Sequence, residues 1–145
     1  MKQTESNDCM AATAAMITGT TLNEAKQAMK QTEDGYFSFP EVMLYCAKHG
    51  LTVGDYALDL PPVSVELGKV EFSYSIKIPA LVVVETFAGP VCNLHALYWD
   101  GNMVHDPSPA QPDGLPLHSY RIRFWWPIVQ NEGLAQQIVG LTARI

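Results

Sequence analysis

Apolar and small residues near the start of the chain follow the pattern of a short, capped helix. Residues 9–18 are rich in alanine and methionine, follow the capping residues 6–8 and end before Gly19. Capping residues before such a run and glycine after it are typical of helix boundaries. The pattern therefore predicts a helix that carries Cys9 in its first turn.

Further capping signals predict two more helices in the first third of the chain. Residues 21–24 form a capping box that opens a second helix, which ends at about Lys30. A third helix opens after Ser38 and stops at Gly50. A short closing helix is predicted over residues 131–141.

From Leu51 onward the pattern changes to short runs of β-branched and aromatic residues separated by turn residues. The predicted strands cover residues 52–53, 71–76, 80–85, 94–99, 103–106 and 120–126. The four prolines of residues 107–116 predict an irregular loop. The sequence thus predicts an α+β fold in which an N-terminal helical half packs on an antiparallel β-sheet.

Composition and charge narrow the possible functions. Of the 145 residues 48% are apolar and 17% are charged, so we expect one domain over residues 1–145 with its own core. The net charge of −6 and the scattered basic residues argue against a nucleic-acid partner. No apolar run is long enough to span a membrane and no signal peptide is evident, so a cytoplasmic protein without a membrane partner is expected.

The three cysteines differ in their expected roles. An odd number without paired spacing predicts free thiols rather than a disulfide framework. Cys46 lies in an apolar helical run and is expected to be a core thiol. Cys92 and His95 have the spacing of half a zinc site, but strand geometry points them to opposite faces, so we expect no metal and no cofactor.

Cys9 has the position of a reactive thiol. Unpaired N–H groups and the helix dipole at a helix N-terminus favour negative charge, which lowers a cysteine pKa. Thiolate chemistry on a carbonyl also needs a base and donors for the developing oxyanion. An amide side chain just upstream of the nucleophile, such as Gln3, supplies one such donor beside the Cys9 backbone N–H.

The hairpin signal at residues 100–101 predicts that His95, a candidate base for this thiol, lies near a carboxylate. If these two residues form the loop, His95 lies directly opposite Asp106, with Cβ atoms about 4.5–5.5 Å apart. If the loop is shifted to residues 101–102, Asp106 lies opposite Leu97, diagonal to His95 on the same face. Either register predicts that the carboxylate orients the imidazole.

These residues resemble a known family at both ends of the chain. Gln3, Asp8-Cys9 and the alanine-rich helix look like the start of the bacteriocin-processing, double-glycine-leader peptidases, which are papain-like cysteine peptidases. His95 and the Asp106-Pro107 pair are similar to that family's histidine strand and its Asp-Pro. The resemblance implies a papain-like fold with the active site at the seam between the helical half and the sheet.

The resemblance also implies a role for each residue and a reaction. Cys9 is expected to be the nucleophile, His95 the general base, Asp106 the imidazole orienter and Gln3 the oxyanion donor. The expected reaction is hydrolysis of an amide bond in a peptide, isopeptide or protein substrate. The family usually has glycine immediately after the cysteine, where this chain has Met10.

Two other classes of function use the same residues. One is a different thiol acyl-transfer enzyme, an amidase or a transglutaminase-like acyltransferase, since cysteine, histidine and aspartate serve several acyl transfers. The other is a non-catalytic papain-like module that binds a partner protein. The acceptor, water or an amine, distinguishes the enzymes, and reactivity of the Cys9 thiol distinguishes them from the binding module.

Overall fold

The computed structural model describes residues 1–5, 7–54, 79–88 and 91–143. In this part of the chain, three helices precede the strands of an antiparallel β-sheet and a fourth helix follows them, so the predicted α+β class is confirmed. The helices are α1 (Cys9–Thr18), α2 (Leu22–Ala28), α3 (Phe39–Ala47) and α4 (Glu132–Ala143). The strands are β1 (Leu51–Val53), β2 (Ala80–Ala88), β3 (Val91–Trp99), β4 (Val104–His105) and β5 (Arg121–Gln130).

Predicted caps define the end of α1 and the start of α2. Gly19 ends α1 with a positive φ of 72°, and its N–H donates to the Ala15 carbonyl. Thr21 and Glu24 form the predicted capping box at the start of α2. This helix ends before Lys30 because Met29 is extended and buried in the core. Within the described ranges, no helix is long and apolar enough to cross a membrane.

The five strands form one sheet in the order β1-β5-β2-β3-β4, and each neighbouring pair is antiparallel. Five of the predicted strands correspond to these elements, and the sixth, at residues 71–76, lies outside the described residues. The strand predicted to end at Trp126 continues to Gln130, where it pairs with β1. Long pairings of β2 with β3 and β5 place β2 in the middle of the sheet.

The hairpin between β3 and β4 has the shifted register. Trp99 pairs with Val104, so the two-residue loop predicted at residues 100–101 is wrong by one position. The physical reason is the Asp100 side chain, whose Oδ1 accepts the N–H groups of Asn102 and Met103 at 2.8 and 2.7 Å. This turn places Gly101 at its centre, with a φ of 95° that glycine adopts readily.

Apolar residues are buried on both faces of the sheet. On one face, alanines of α1 and side chains of α2 and α3 pack against Leu81, Val83 and Ala96. On the other face, Leu97 and Ile122 belong to a second buried cluster with Leu117 of a 3₁₀ turn that precedes β5. The N-terminus of α1 is thereby brought beside β3, the strand that carries the predicted base.

Candidate active site

Cys9 is the first residue of α1, and its thiol faces β3. The Sγ atom is hydrogen-bonded to the His95 side chain and accepts the backbone N–H groups of Ala96 and Met10. Burial alone would raise the pKa of the Cys9 thiol. These hydrogen bonds and the charge of His95 outweigh burial and hold its pKa below the ordinary value. The arrangement therefore favours the thiolate.

His95 links the thiol to a buried carboxylate. Its Nε2 lies 2.7 Å from Oδ1 of Asp106, which leaves Nδ1 as the ring nitrogen that faces Cys9. Burial lowers the pKa of His95, but hydrogen bonds to Asp106 and Cys9 raise it to about 9. The raised pKa of His95 and the lowered pKa of Cys9 together favour an imidazolium beside a thiolate.

Asp106 is almost completely buried and has three hydrogen-bond donors. Its Oδ1 accepts the Ser108 N–H at 2.9 Å in addition to His95, and its Oδ2 accepts the Tyr120 hydroxyl at 2.8 Å. Burial raises the pKa of Asp106, but the bonds to His95, Ser108 and Tyr120 lower it below its usual value. The group that orients His95 is thus ionised and fixed in position.

Tyr120 is a site residue that sequence reasoning missed. Burial and the neighbouring Asp106 carboxylate raise the pKa of Tyr120 above its usual range, so its hydroxyl stays protonated and donates. In the sequence it marks only the start of a predicted strand, 14 residues after Asp106. The loop of residues 107–116 returns the chain to Asp106, and spacing alone contains no signal for that contact.

Gln3 lies beside the Asp106 loop. Its backbone N–H donates to the Pro107 carbonyl at 2.8 Å, and its side-chain Nε2 donates to the Glu5 carbonyl at 2.9 Å. The Gln3 Oε1 atom is buried and has no hydrogen-bond partner among the described residues. Nε2 carries a second N–H group, and its role as an oxyanion donor stays a prediction.

The start of the chain is fastened to the same loop by Lys2. Its Nζ donates to the Asp106 carbonyl at 2.7 Å and to the Gln111 carbonyl at 2.6 Å. A third contact, 3.2 Å long, joins it to the Asp113 carboxylate. Together with the Gln3 backbone bond, these contacts hold the N-terminal segment against the loop that begins at Asp106.

Asp8, the residue before Cys9, is fully buried at the N-terminus of α1. Its Oδ2 accepts from Thr4 Oγ1 at 2.9 Å, from the Glu5 N–H at 3.2 Å and from Lys26 Nζ at 3.0 Å. The carboxylate does not cap the helix with its side chain. Instead it ties α2 and the segment upstream of Cys9 to the start of α1.

Replacing Lys26 with methionine is expected to lower the free energy of unfolding by about 2 kcal/mol. The variant leaves the buried Asp8 carboxylate without its cation, and the cost is moderated because the Lys26 side chain is 24% exposed. Urea unfolding at pH 7 measures the change in the free energy of unfolding. The matched control is Lys30→Met at an exposed position, expected to change stability by about 0.5 kcal/mol or less. Equal losses in the two variants would contradict a stabilising role for the Asp8 pair.

Cys46 is the other thiol whose side chain the structure describes. Cys46 is buried in the core, where desolvation raises its pKa to about 12, in agreement with its predicted packing role. The Cys92 side chain is outside the described part of the structure. Among the described residues, no group of three or more histidine, cysteine, aspartate or glutamate side chains could hold a metal ion.

Cys9, His95 and Asp106 therefore form one hydrogen-bonded series, as their predicted roles require. Such a series can supply a thiolate to an electrophilic carbon and return a proton to a leaving group. Gln3 lies near the series through the Pro107 contact. In comparisons with known proteins, no family model, no curated protein and no solved structure matches this chain, so its functional interpretation depends on the geometry.

Proposed function

We propose that the chain is a papain-like cysteine hydrolase that cleaves an amide bond in a peptide or isopeptide. The observation that carries the proposal is the series in which the Cys9 thiol contacts His95 and His95 contacts a buried Asp106 at 2.7 Å. A second support is the position of Cys9 at the N-terminus of α1. In this proposal the cleft lies at the seam between the sheet that carries the imidazole and the helix that carries the thiol, and the packing of α1 on β3 supports that position.

In the proposed acylation step, the Cys9 thiolate adds to the amide carbon and forms a C–S bond. The carbonyl π electrons move to oxygen and create a tetrahedral oxyanion. His95 then transfers its Nδ1 proton to the amide nitrogen, the C–N bond breaks, and the amine leaves. The acyl group remains on Cys9 as a thioester, and His95 is left neutral.

The proposed oxyanion donors are backbone and side-chain N–H groups near Cys9. The first N–H groups of a helix have no intrahelical acceptor, so the Cys9 N–H can donate to the oxyanion. The second N–H of Gln3 Nε2 is the other proposed donor. The backbone bond from Gln3 to Pro107 supports this role, because it fixes the segment that carries the amide.

Water completes the proposed cycle. Neutral His95 accepts a proton from water as the oxygen adds to the thioester carbon. The second tetrahedral intermediate then expels Cys9 as the thiolate and releases a carboxylic acid. Asp106 stays ionised and stabilises the imidazolium that forms, while Ser108 and Tyr120 keep its two oxygens in place.

Alkylation by iodoacetamide between pH 4 and 9 tests this proposal without a known substrate. We expect Cys9 to react rapidly well below the ordinary thiol pKa of about 8.5, because its pKa is lowered mainly by His95. In His95→Ala the rate at pH 6 is expected to fall by about tenfold or more. Mass spectrometry after digestion identifies the alkylated cysteine.

Cys46 is an internal control in the same sample. Its buried thiol, with a pKa raised to about 12, is expected to stay unlabelled in the folded protein and to react after denaturation. Cys9 alkylation no faster than in the denatured chain, or equal rates in wild type and His95→Ala, would contradict the proposed hydrolase and favour the non-catalytic binding module.

A further inference from the structure

An apolar cavity of about 210 Å³ opens directly beside Cys9. Apart from the thiol itself, its lining consists of apolar and aromatic side chains. The lining residues are Cys9, Met10, Val83, Leu94, Ala96, Phe124 and Trp126. Apart from Cys9, none of them carries a charge or a hydroxyl group. Whatever enters the cavity therefore leaves water for an apolar surface next to the nucleophile.

The walls of the cavity are held by packing. Trp126 stacks between Phe39, at 4.4 Å between ring centroids, and Phe124, at 5.3 Å. Val83 and Ala96 face each other across β2 and β3 and are buried. Because these aromatic and strand residues belong to the core between the sheet and the helices, the cavity is built into the fold.

We propose that this cavity binds one bulky apolar side chain on the acyl part of the substrate, an inference that rests on the proposed hydrolase function. An apolar cavity of roughly 150 Å³ is known to hold a benzene molecule, so the volume here suits one leucine, methionine or phenylalanine side chain. A charged or amide side chain would lose its hydration without gaining a partner. The cavity therefore selects by burial of apolar surface.

We assign the bound side chain to the acyl part of the substrate because Cys9 itself is in the lining of the cavity. In the proposed mechanism the acyl carbon becomes bonded to Cys9 and stays there until water releases it, while the amine leaves first. A side chain on the acyl part is thus held beside the cavity during both steps. Its burial positions the carbonyl for attack and for hydrolysis.

This preference separates the chain from the double-glycine-leader peptidases that it resembles. A substrate with two glycines before the scissile bond has no side chain to fill the cavity. Met10, which stands where that family usually has glycine, is part of the wall. The residue that departs from the family pattern therefore contributes to the feature that implies a different substrate.

Acetyl-dipeptide aldehydes test the inference because they carry only the acyl part. The Cys9 sulfur adds to the aldehyde carbon and the carbonyl oxygen takes up one proton, which gives a reversible hemithioacetal. The set contains Gly-Gly, and phenylalanine, leucine, lysine or aspartate at each of the two positions in turn. Binding is measured by protection of Cys9 from iodoacetamide. At one position, phenylalanine or leucine is expected to bind about tenfold or more tightly than glycine, lysine and aspartate.

The variant Leu94→Gln tests whether the preference for apolar side chains arises from this cavity. Leu94 is 55% exposed at the rim, so the substitution changes the lining without disturbing the core. It is expected to reduce the apolar preference about threefold. The matched control is Val129→Gln, at a 49% exposed position of β5 outside the lining, and it is expected to keep the wild-type preference.

Three results would overturn the inference. They are equal or tighter binding of Gly-Gly, equal binding of lysine or aspartate, and an apolar preference that Leu94→Gln leaves unchanged. If Cys9 is rapidly alkylated and the aldehydes show no apolar preference, the cavity assignment fails while the proposed hydrolase stands. If rapid alkylation and aldehyde protection are both absent, the proposed function fails as well.

Discussion

Cys9→Ala is expected to lower the turnover of a peptide amide substrate by about 10⁴-fold or more, because it removes the nucleophile of the proposed mechanism. The remaining cluster has no other group placed to form the acyl intermediate. Hydrolysis of a fluorogenic peptide amide, selected from a library that varies the acyl residues, measures kcat. The same assay with hydroxylamine as acceptor distinguishes hydrolysis from acyl transfer to an amine.

Cys46→Ala is the matched control for the loss of a thiol. Cys46 is buried in the core and has no role in the proposed mechanism. The variant is expected to keep kcat while the free energy of unfolding falls by about 1 kcal/mol, because a small cavity replaces the sulfur. Substantial turnover by Cys9→Ala, measured in protein free of wild-type contamination, would sink the assignment of Cys9 as nucleophile.

Local signals predicted the helices well because their boundaries depend on neighbouring residues. The capping box at Thr21 and Glu24 closes within four residues, and Gly19 ends α1 through its own backbone conformation. The end of α2 was less predictable. Met29 leaves the helix to enter the core, and that choice depends on packing partners elsewhere in the chain.

The hairpin shows how a local prediction fails in detail and survives in its consequence. The Asp100-Gly101 signal indicated the right turn, but the Asp100 carboxylate binds two backbone N–H groups and moves the loop by one residue. The shift changes the partner of each residue by two positions, so Asp106 stays on the same face as His95 but becomes diagonal to it. The imidazole is long enough to span that separation and form the 2.7 Å contact.

Contacts made by long-range folding were beyond sequence reasoning. Tyr120 reaches Asp106 after an irregular loop, and Lys26 reaches Asp8 from another helix. The aromatic wall of the cavity combines residues of α3 and β5, which are far apart in the sequence. Tyrosine, lysine and aromatic residues occur in many structural roles, so only their positions in the folded chain associate these ones with the site.

Asp106→Asn is expected to change both activity and stability through the loss of one buried negative charge. Burial lowers the pKa of His95, but the Asp106 carboxylate, together with Cys9, raises it to about 9, so removal of the carboxylate moves the alkaline limb of the activity profile to lower pH. With less imidazolium beside it, the Cys9 thiol has a higher pKa, and the two limbs approach each other. We expect kcat/KM at pH 7 to fall by roughly 10²–10⁴-fold. Rates between pH 5 and 10 measure the change.

The accompanying loss of stability has a defined dependence on pH. The folded-state pKa of Asp106 is lowered, so its stabilisation is present above its unfolded pKa of about 3.9 and is lost as pH falls through the folded pKa. The folded-state pKa of His95 is raised, so its contribution is complete below about 6.5 and is lost as pH rises through about 9. The difference in the free energy of unfolding between wild type and Asp106→Asn is therefore expected to be largest, about 3 kcal/mol, between about pH 3.9 and about pH 6.5. Urea unfolding at each pH measures this difference.

Asp100→Asn is the matched control, because Asp100 also holds a histidine at 2.7 Å, His105, in a pair that is partly exposed. Solvent screening limits the value of such a pair, so the control is expected to lose about 1 kcal/mol or less and to keep the activity profile. If Asp106→Asn and Asp100→Asn behave alike, the carboxylate at Asp106 has no special influence on His95. A loss of stability without movement of the alkaline limb would restrict Asp106 to a structural role and remove it from the proposed mechanism.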